Sequence, residues 1–210
     1  MRAHRVAPLA LEGAERVALE TDRGTIWGRW HAAAEGDAAV VWVFGAGGGL
    51  GGPAGGLYPR LAGRLAPRGI ASLELDYRRP ADLAECVPDV LAGVEHLASM
   101  GRERVVLVGH SFGGAVVIAA GAASGRVRAA AAPSSQTHGT DAAPALAPRP
   151  LLLMHGLADE VLPAACSRDI HARAREPKRI VLYPGCRHGL DQCAGDVDRD
   201  LLAWIVGVAG

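Results

Sequence analysis

Residues 109–114 read Gly109-His110-Ser111-Phe112-Gly113-Gly114, a G-x-S-x-G motif with a serine hydroxyl at its centre. The motif lies between the apolar run Val105-Val106-Leu107-Val108 and the helix-like run Ala115-Val116-Val117-Ile118. A strand that must become a helix within so few residues puts the central serine in a strained backbone conformation. Glycines two positions before and two after leave space that any Cβ would fill. The hydroxyl then stands above the sheet beside a helix N-terminus, where free N–H groups and the helix dipole favour developing negative charge. Those are the needs of a nucleophile that attacks an acyl carbonyl. With 28 glycines in the chain, the bare pattern is cheap, but chance does not supply the strand before it and the helix after it. Partners for proton transfer lie downstream: the adjacent carboxylates Asp159 and Glu160, and several of the eight histidines, whose ordinary pKa lies near neutrality.

Strands and helices must bring such groups together. Val40 to Phe44, Ile70 to Leu75, Val105 to Val108 and Leu151 to Met154 are apolar runs typical of strands buried on both faces. Val127 to Ala132 and Ile180 to Tyr183 are weaker members of the set. Residues 15–20 and 24–31 flank the turn Asp22-Arg23-Gly24 and predict an opening hairpin. Helical spacing marks residues 57–66, 81–100, 112–123, 163–175 and 191–208. Pro88 interrupts the second of these, predicting a kink or a helix start there. The alternation predicts an α/β fold: a mostly parallel central sheet, helices on both faces and right-handed crossovers, in one domain over residues 1–210. The Gly/Pro-rich stretches 45–56 and 133–149 read as loops within it. Ligands of open parallel sheets bind at the carboxyl ends of the strands, where Ser111 and the downstream groups fall.

Composition narrows the partners. Lys+Arg and Asp+Glu are both 22, so the formal net charge is zero. That argues against nucleic acid or an anionic membrane surface, which call for a basic face. Half of the residues are apolar, yet no stretch of 18 apolar residues exists to span a bilayer. The basic start Met1-Arg2-Ala3-His4-Arg5 is followed by an apolar run broken at Pro8 and Glu12, too short and polar for a secretory leader. The cysteines, Cys86, Cys166, Cys186 and Cys193, form no C-x-x-C pair, and a chain of this size needs no disulfide framework. The expectation is a reduced, cytoplasmic protein, monomer or homodimer.

From the opening hairpin to the last helix the chain resembles the α/β-hydrolase superfamily, in which the nucleophile is followed by Asp or Glu and then by His. The resemblance implies Asp159, a few residues past Leu151–Met154, as the carboxylate that orients the base, with Glu160 as its rival. The plainer role for either acid is to cap a helix near Pro163. It implies His188, in the loop after Ile180–Tyr183, as general base, with His138 as the competitor. His155 is expected to pack or hydrogen-bond on the acid-bearing loop, and His110 to point away from the hydroxyl. The oxyanion donors would be the backbone N–H groups of Phe112 and of Ala46 (or Gly47). Many members have His-Gly where this chain has Phe44-Gly45; since the donor is main chain, the departure touches its identity rather than its chemistry. Relatives often insert a cap after the strand matching Val127–Ala132, for which residues 133–149 leave no room. The implied protein is a small lidless serine hydrolase with an open cleft, acting without cofactor or metal on small ester or thioester substrates. It is similar to dienelactone-hydrolase-like members, although those commonly carry Cys where this chain has Ser111.

Other readings compete. Gly47, Gly49 and Gly52 form a literal G-x-G-x-x-G after a strand, and Asp76 follows the next strand, which together suit a nicotinamide-dependent oxidoreductase. Pro53 and further glycines delay the helix beyond the tight turn that pyrophosphate requires, and the Ser, Asp, His order would go unexplained. Cys186, His188 and Cys193 suggest a metal cluster on paper, short of a fourth ligand. A catalytically silent hydrolase fold used for binding would have no need of the ordered Ser, Asp and His. Asp76-Tyr77-Arg78 reads as a structural turn, with Arg78 paired to Asp76 or another loop carboxylate; a place for Tyr77 at the mouth is the less favoured alternative.

Overall fold

The apolar runs join one sheet. The structure, a computed structural model, describes residues 2–8 by their backbone and residues 14–210 in full. Among the described residues the strands are β1 (Arg2–Pro8), β2 (Ala14–Thr21), β3 (Gly24–His31), β4 (Ala38–Val43), β5 (Ile70–Asp76), β6 (Arg104–Gly109), β7 (Val127–Pro133), β8 (Leu151–Gly156) and β9 (Lys178–Tyr183). Their order across the sheet is β1-β2-β3-β5-β4-β6-β7-β8-β9. The first three strands and the β3–β5 pair are antiparallel, and every later pair is parallel. This is the α/β-hydrolase fold, with no separate cap domain among the described residues. The sequence carried no signal for β1, whose pairing to β2 is all that defines it. Residues 9–13, part of the run weighed above as a leader, lie outside the described residues.

Helices cover both faces, as the doubly apolar strands require. α2 (Leu83–Ser99), α3 (Phe112–Ala123) and α4 (Ala165–Arg173) pack on one core with Leu73, Leu75, Leu107 and Leu153. α1 (Pro53–Leu65) and α5 (Ala194–Ala209) pack on the other, around Trp42, Val106, Val108 and Met154. Burying such side chains is worth roughly 1.5–3 kcal/mol each, so both cores favour one register of the sheet. Among the described residues no helix is long and apolar enough to cross a membrane.

Pro88 lies inside α2, so the helix start that the sequence offered as one of two outcomes there is not realised. α2 begins at Leu83, where the Asp82 carboxylate accepts from the amides of Ala84 and Glu85 at 3.1 and 3.3 Å. That cap and the buried stripe outweigh the one hydrogen bond a proline cannot donate. Arg78 finds its carboxylates on this helix, at Asp89 and Glu85, and not in its own turn.

Candidate active site

Three parallel strands end at one place and deliver Ser111, Asp159 and His188 to it. β6 stops at Gly109, and Ser111 takes φ 58° and ψ −119° before α3 begins at Phe112. Such a φ is strained for a serine and persists only where the surroundings dictate it. Here they do. A Cβ on Gly109 would lie 2.1 Å from the Gly113 carbonyl oxygen, and one on Gly113 would lie 2.4 Å from that of Phe44. The elbow is therefore packed too tightly for any residue but glycine at either position.

His188 lies in the loop after β9, and Asp159 in the loop after β8. The His188 Nδ1–H donates to Asp159 Oδ2 at 2.8 Å, because a carboxylate only accepts. That fixes the tautomer and leaves Nε2 free to accept from the Ser111 hydroxyl at 3.1 Å. Asp159 is fully enclosed, whereas the His188 ring keeps 16% exposure. Burial alone would raise the Asp159 pKa. Its Oδ1 also accepts the amides of Leu162 and Val161 at 2.8 and 2.9 Å, and these bonds with His188 hold the carboxyl below its usual value. The capping alternative is thus realised as a local loop clasp rather than a helix cap, since α4 starts only at Ala165.

The rivals fall elsewhere. Glu160 is exposed and accepts the His188 backbone amide at 3.3 Å. His138 is exposed in the loop after β7, with its carbonyl bonded to Gln136.

Two histidines serve the site without touching the Ser111 hydroxyl. His155 is fully buried: its Nε2–H faces Leu162 O at 3.0 Å and Asp159 Oδ2 at 3.1 Å, while the Ser167 hydroxyl donates to Nδ1 at 2.7 Å. Burial lowers its pKa, which keeps it neutral beside the acid. His110 donates from Nε2 to the His188 carbonyl at 2.9 Å, and Ser134 donates to the same oxygen at 3.2 Å. Burial pushes His110 down to about 4. The sequence placed His110 away from the hydroxyl but gave no sign that it and Ser134 hold the His188 backbone; adjacency to the elbow marked His110, and nothing marked Ser134.

The reduced state expected for the cysteines is corrected. Cys186 and Cys193 form a disulfide, with Cα atoms 5.7 Å apart, closing the loop that contains His188. Neither sulfur is then a thiolate ligand, which removes the paper metal cluster. Their pairing depends on the 3₁₀ turn Asp191–Cys193 folding back on the loop, which spacing alone does not reveal. Cys86 and Cys166 are free thiols.

On the other side of Ser111 runs the glycine loop after β4. A Cβ on Gly45 would lie 3.8 Å from Ser111 Oγ, so the loop passes within reach of the hydroxyl. Ala46 and Gly47 follow at an exposed position, and the Phe112 amide opens α3. Among the described residues no protein acceptor takes the amides of Ala46, Gly47 or Phe112. Asp76, which the oxidoreductase alternative would place on a ribose, accepts the Gly49 amide instead. Around this end of the sheet Leu57 and Leu190 are core, Phe112 is buried and Leu157 is exposed. Tyr77 is buried, donating to Phe44 O at 3.2 Å, and does not line the mouth.

The family model described as "Dienelactone hydrolase family" matches residues 57–199. Two curated relatives, the uncharacterized protein YfhR of Escherichia coli K12 and of O157:H7, are 30% and 29% identical over 146 and 145 residues. Those matches cover 57% of this chain and 51% of theirs, so the chain spans about half the length of the curated relatives it matches. Among solved structures, a dienelactone hydrolase from Anabaena variabilis ATCC 29413 superposes with a TM-score of 0.81 at 17% identity, covering 95% of this chain and 100% of that one. The esterase domain of a Rhodothermus marinus protein gives 0.77 at 21% identity, covering 94% and 100%. At these identities the likeness speaks for the fold.

Proposed function

This chain belongs to the dienelactone hydrolase family, and from that premise we propose that it is a serine hydrolase of small ester or thioester substrates. The observation that carries the reading is the continuous line of hydrogen bonds from Ser111 through His188 to Asp159. Ser111 Oγ attacks the acyl carbonyl as its proton passes to His188 Nε2, and Asp159 stabilises the imidazolium that forms. The carbonyl oxygen, now negative, receives the amides of Phe112 and Ala46; losing one such donor costs about 2.7–4 kcal/mol in the transition state. Collapse of the tetrahedral intermediate breaks the bond to the leaving group, which takes the proton from His188. Water then attacks the acyl-serine by the same route in reverse, restoring the Ser111 hydroxyl and releasing the acid.

The lack of a cap among the described residues favours short, soluble acyl groups over long lipids. On this reading residues 1–210 act as one domain, a monomer or homodimer in the cytoplasm that needs no cofactor or metal. Burial of Cys186 and Cys193 would shield their bridge from cellular thiols. The test is a panel of p-nitrophenyl esters and acyl thioesters of rising chain length. Turnover is expected to be greatest at two to four carbons in the acyl group and to vanish in Ser111→Ala. Equal turnover by wild type and Ser111→Ala would refute the proposal.

A further inference from the structure

The loop from Gly45 to Gly52 must hold the Ala46 and Gly47 amides beside Ser111, yet it has almost no side chains with which to anchor itself. Gly48, Gly49, Gly51 and Gly52 take φ of 68°, 91°, 96° and 72°, conformations that glycine adopts freely and also leaves freely. Its anchors come from β5. Residues 74 and 76 are two apart on a strand and so share a face. Asp76 Oδ1 accepts the Gly49 amide at 2.6 Å, and Glu74 Oε2 accepts the Gly51 amide at 2.6 Å. Bonds of this kind to a carboxylate are shorter and stronger than neutral ones. The loop lies directly on Asp76: a Cβ at Gly48 would come 2.9 Å from Asp76 Oδ1.

Glu74 is 0% exposed, in the strand run that the sequence presents as apolar. Its second oxygen is shared by His31 Nε2 at 2.7 Å and Arg29 Nη1 at 3.2 Å, both from β3. A buried ion pair such as Glu74–Arg29 is at best neutral for stability compared with well-packed apolar residues in place of both partners. A wholly apolar cluster could fill the places of Glu74, Arg29 and His31 without loss, so stability alone does not call for a carboxylate here. What Glu74 supplies is one group that accepts from the loop and from β3 at once.

We infer that Glu74 and Asp76 are positioning residues, whose carboxylates hold the Gly49 and Gly51 amides and thereby fix the Ala46 and Gly47 N–H groups at the oxyanion position. This rests on the serine-hydrolase reading above. His31 and Arg29 hold Glu74 in turn.

The test compares wild type with Asp76→Ala, Asp76→Asn and Glu74→Gln, each normalised to the sites that a fluorophosphonate probe labels at completion. Asp76→Ala should lower kcat on p-nitrophenyl acetate by about 10- to 100-fold with KM within about twofold, and weaken phenylboronic acid, a tetrahedral mimic, in parallel. Asp76→Asn keeps a carbonyl oxygen for Gly49 and should recover most of that loss. Glu74→Gln turns a donor toward Arg29 and His31 and should behave like Asp76→Ala. A purely structural role would reduce the labelled fraction and leave kcat per labelled site and boronate affinity unchanged, which would overturn the inference. Should the alanine variant not fold, amide exchange in the wild type decides: Gly49 and Gly51 protected above Gly47 supports it, and equal exchange overturns it. A wild type that resists the probe overturns the hydrolase reading and this inference together; a labelled wild type with unaffected variants overturns the inference alone.

Discussion

The loop that carries His188 and the loop that carries Ala46 flank Ser111 and are held by opposite means. The first is tied from several directions: its carbonyl to His110 and Ser134, its ring to Asp159, its amide to Glu160, and its ends by the Cys186–Cys193 bridge. The second is nearly all glycine, and its side-chain anchors, Glu74 and Asp76, reach it from a neighbouring strand. Under the proposed mechanism the difference follows from the job each loop would do. A base is a side chain, so its loop can carry other side chains that lock it. A backbone donor must let the substrate oxygen come close, so its loop sheds side chains and borrows its rigidity. Damage to the His188 loop should therefore appear first as lost stability, and damage to the glycine loop first as lost kcat.

The largest effects remove what both loops converge on. Ser111→Ala and His188→Ala should each lower kcat by on the order of 10⁴-fold or more, measured by steady-state hydrolysis. Asp159→Asn keeps the shape but lets the imidazole adopt the wrong tautomer, for a loss of about 10³–10⁴-fold. Removing the bridge sharpens the contrast. Cys186→Ser with Cys193→Ser frees a short loop and should cost about 2–3 kcal/mol of stability, lowering Tm by roughly 5–10 °C. Its kcat, supported by the remaining ties, should stay within about fivefold; a far larger loss of kcat with unchanged Tm would break the comparison.

A smaller effect is set by pH. His110 has its pKa pushed by burial from 6.5 to about 4, and burial lowers His155 too. Unfolded imidazoles bind protons that the folded ones refuse, so the stability these residues permit is complete above pH 6.5 and is lost as pH falls toward 4. Asp159, depressed below its ordinary 3.8, adds its own loss only at still lower pH. Thermal melts from pH 7 to 4 should show this slope, and His110→Asn should flatten it. The smallest effect is a thiol count. Denatured, unreduced protein should expose two thiols, Cys86 and Cys166, to a disulfide-exchange reagent; in the native state only Cys166 should react, since Cys86 is buried with its pKa pushed up to about 12. Four thiols would return the protein to the reduced state expected from sequence.

The elbow was legible because its chemistry and its fold share one short segment: a strand, two glycines around Ser111, and a helix. Asp159 and His188 were legible only by order along the chain and place after a strand. The remaining ties were not, for a physical reason. Glu74 sits in a run whose neighbours are apolar, and its purpose appears only when β3 and the glycine loop close around it. The Cys186–Cys193 pairing and the His110 bond to the His188 carbonyl depend on turns that bring distant backbone together. Pro88 misled because local propensity yields to a good cap and a buried stripe.

If Ser111 is an activated nucleophile, as proposed, intact-protein mass spectrometry after fluorophosphonate treatment should find one adduct per chain, mapped to Ser111 and formed far more slowly in His188→Ala. No adduct on folded wild type, or one mapped to another residue, would contradict it.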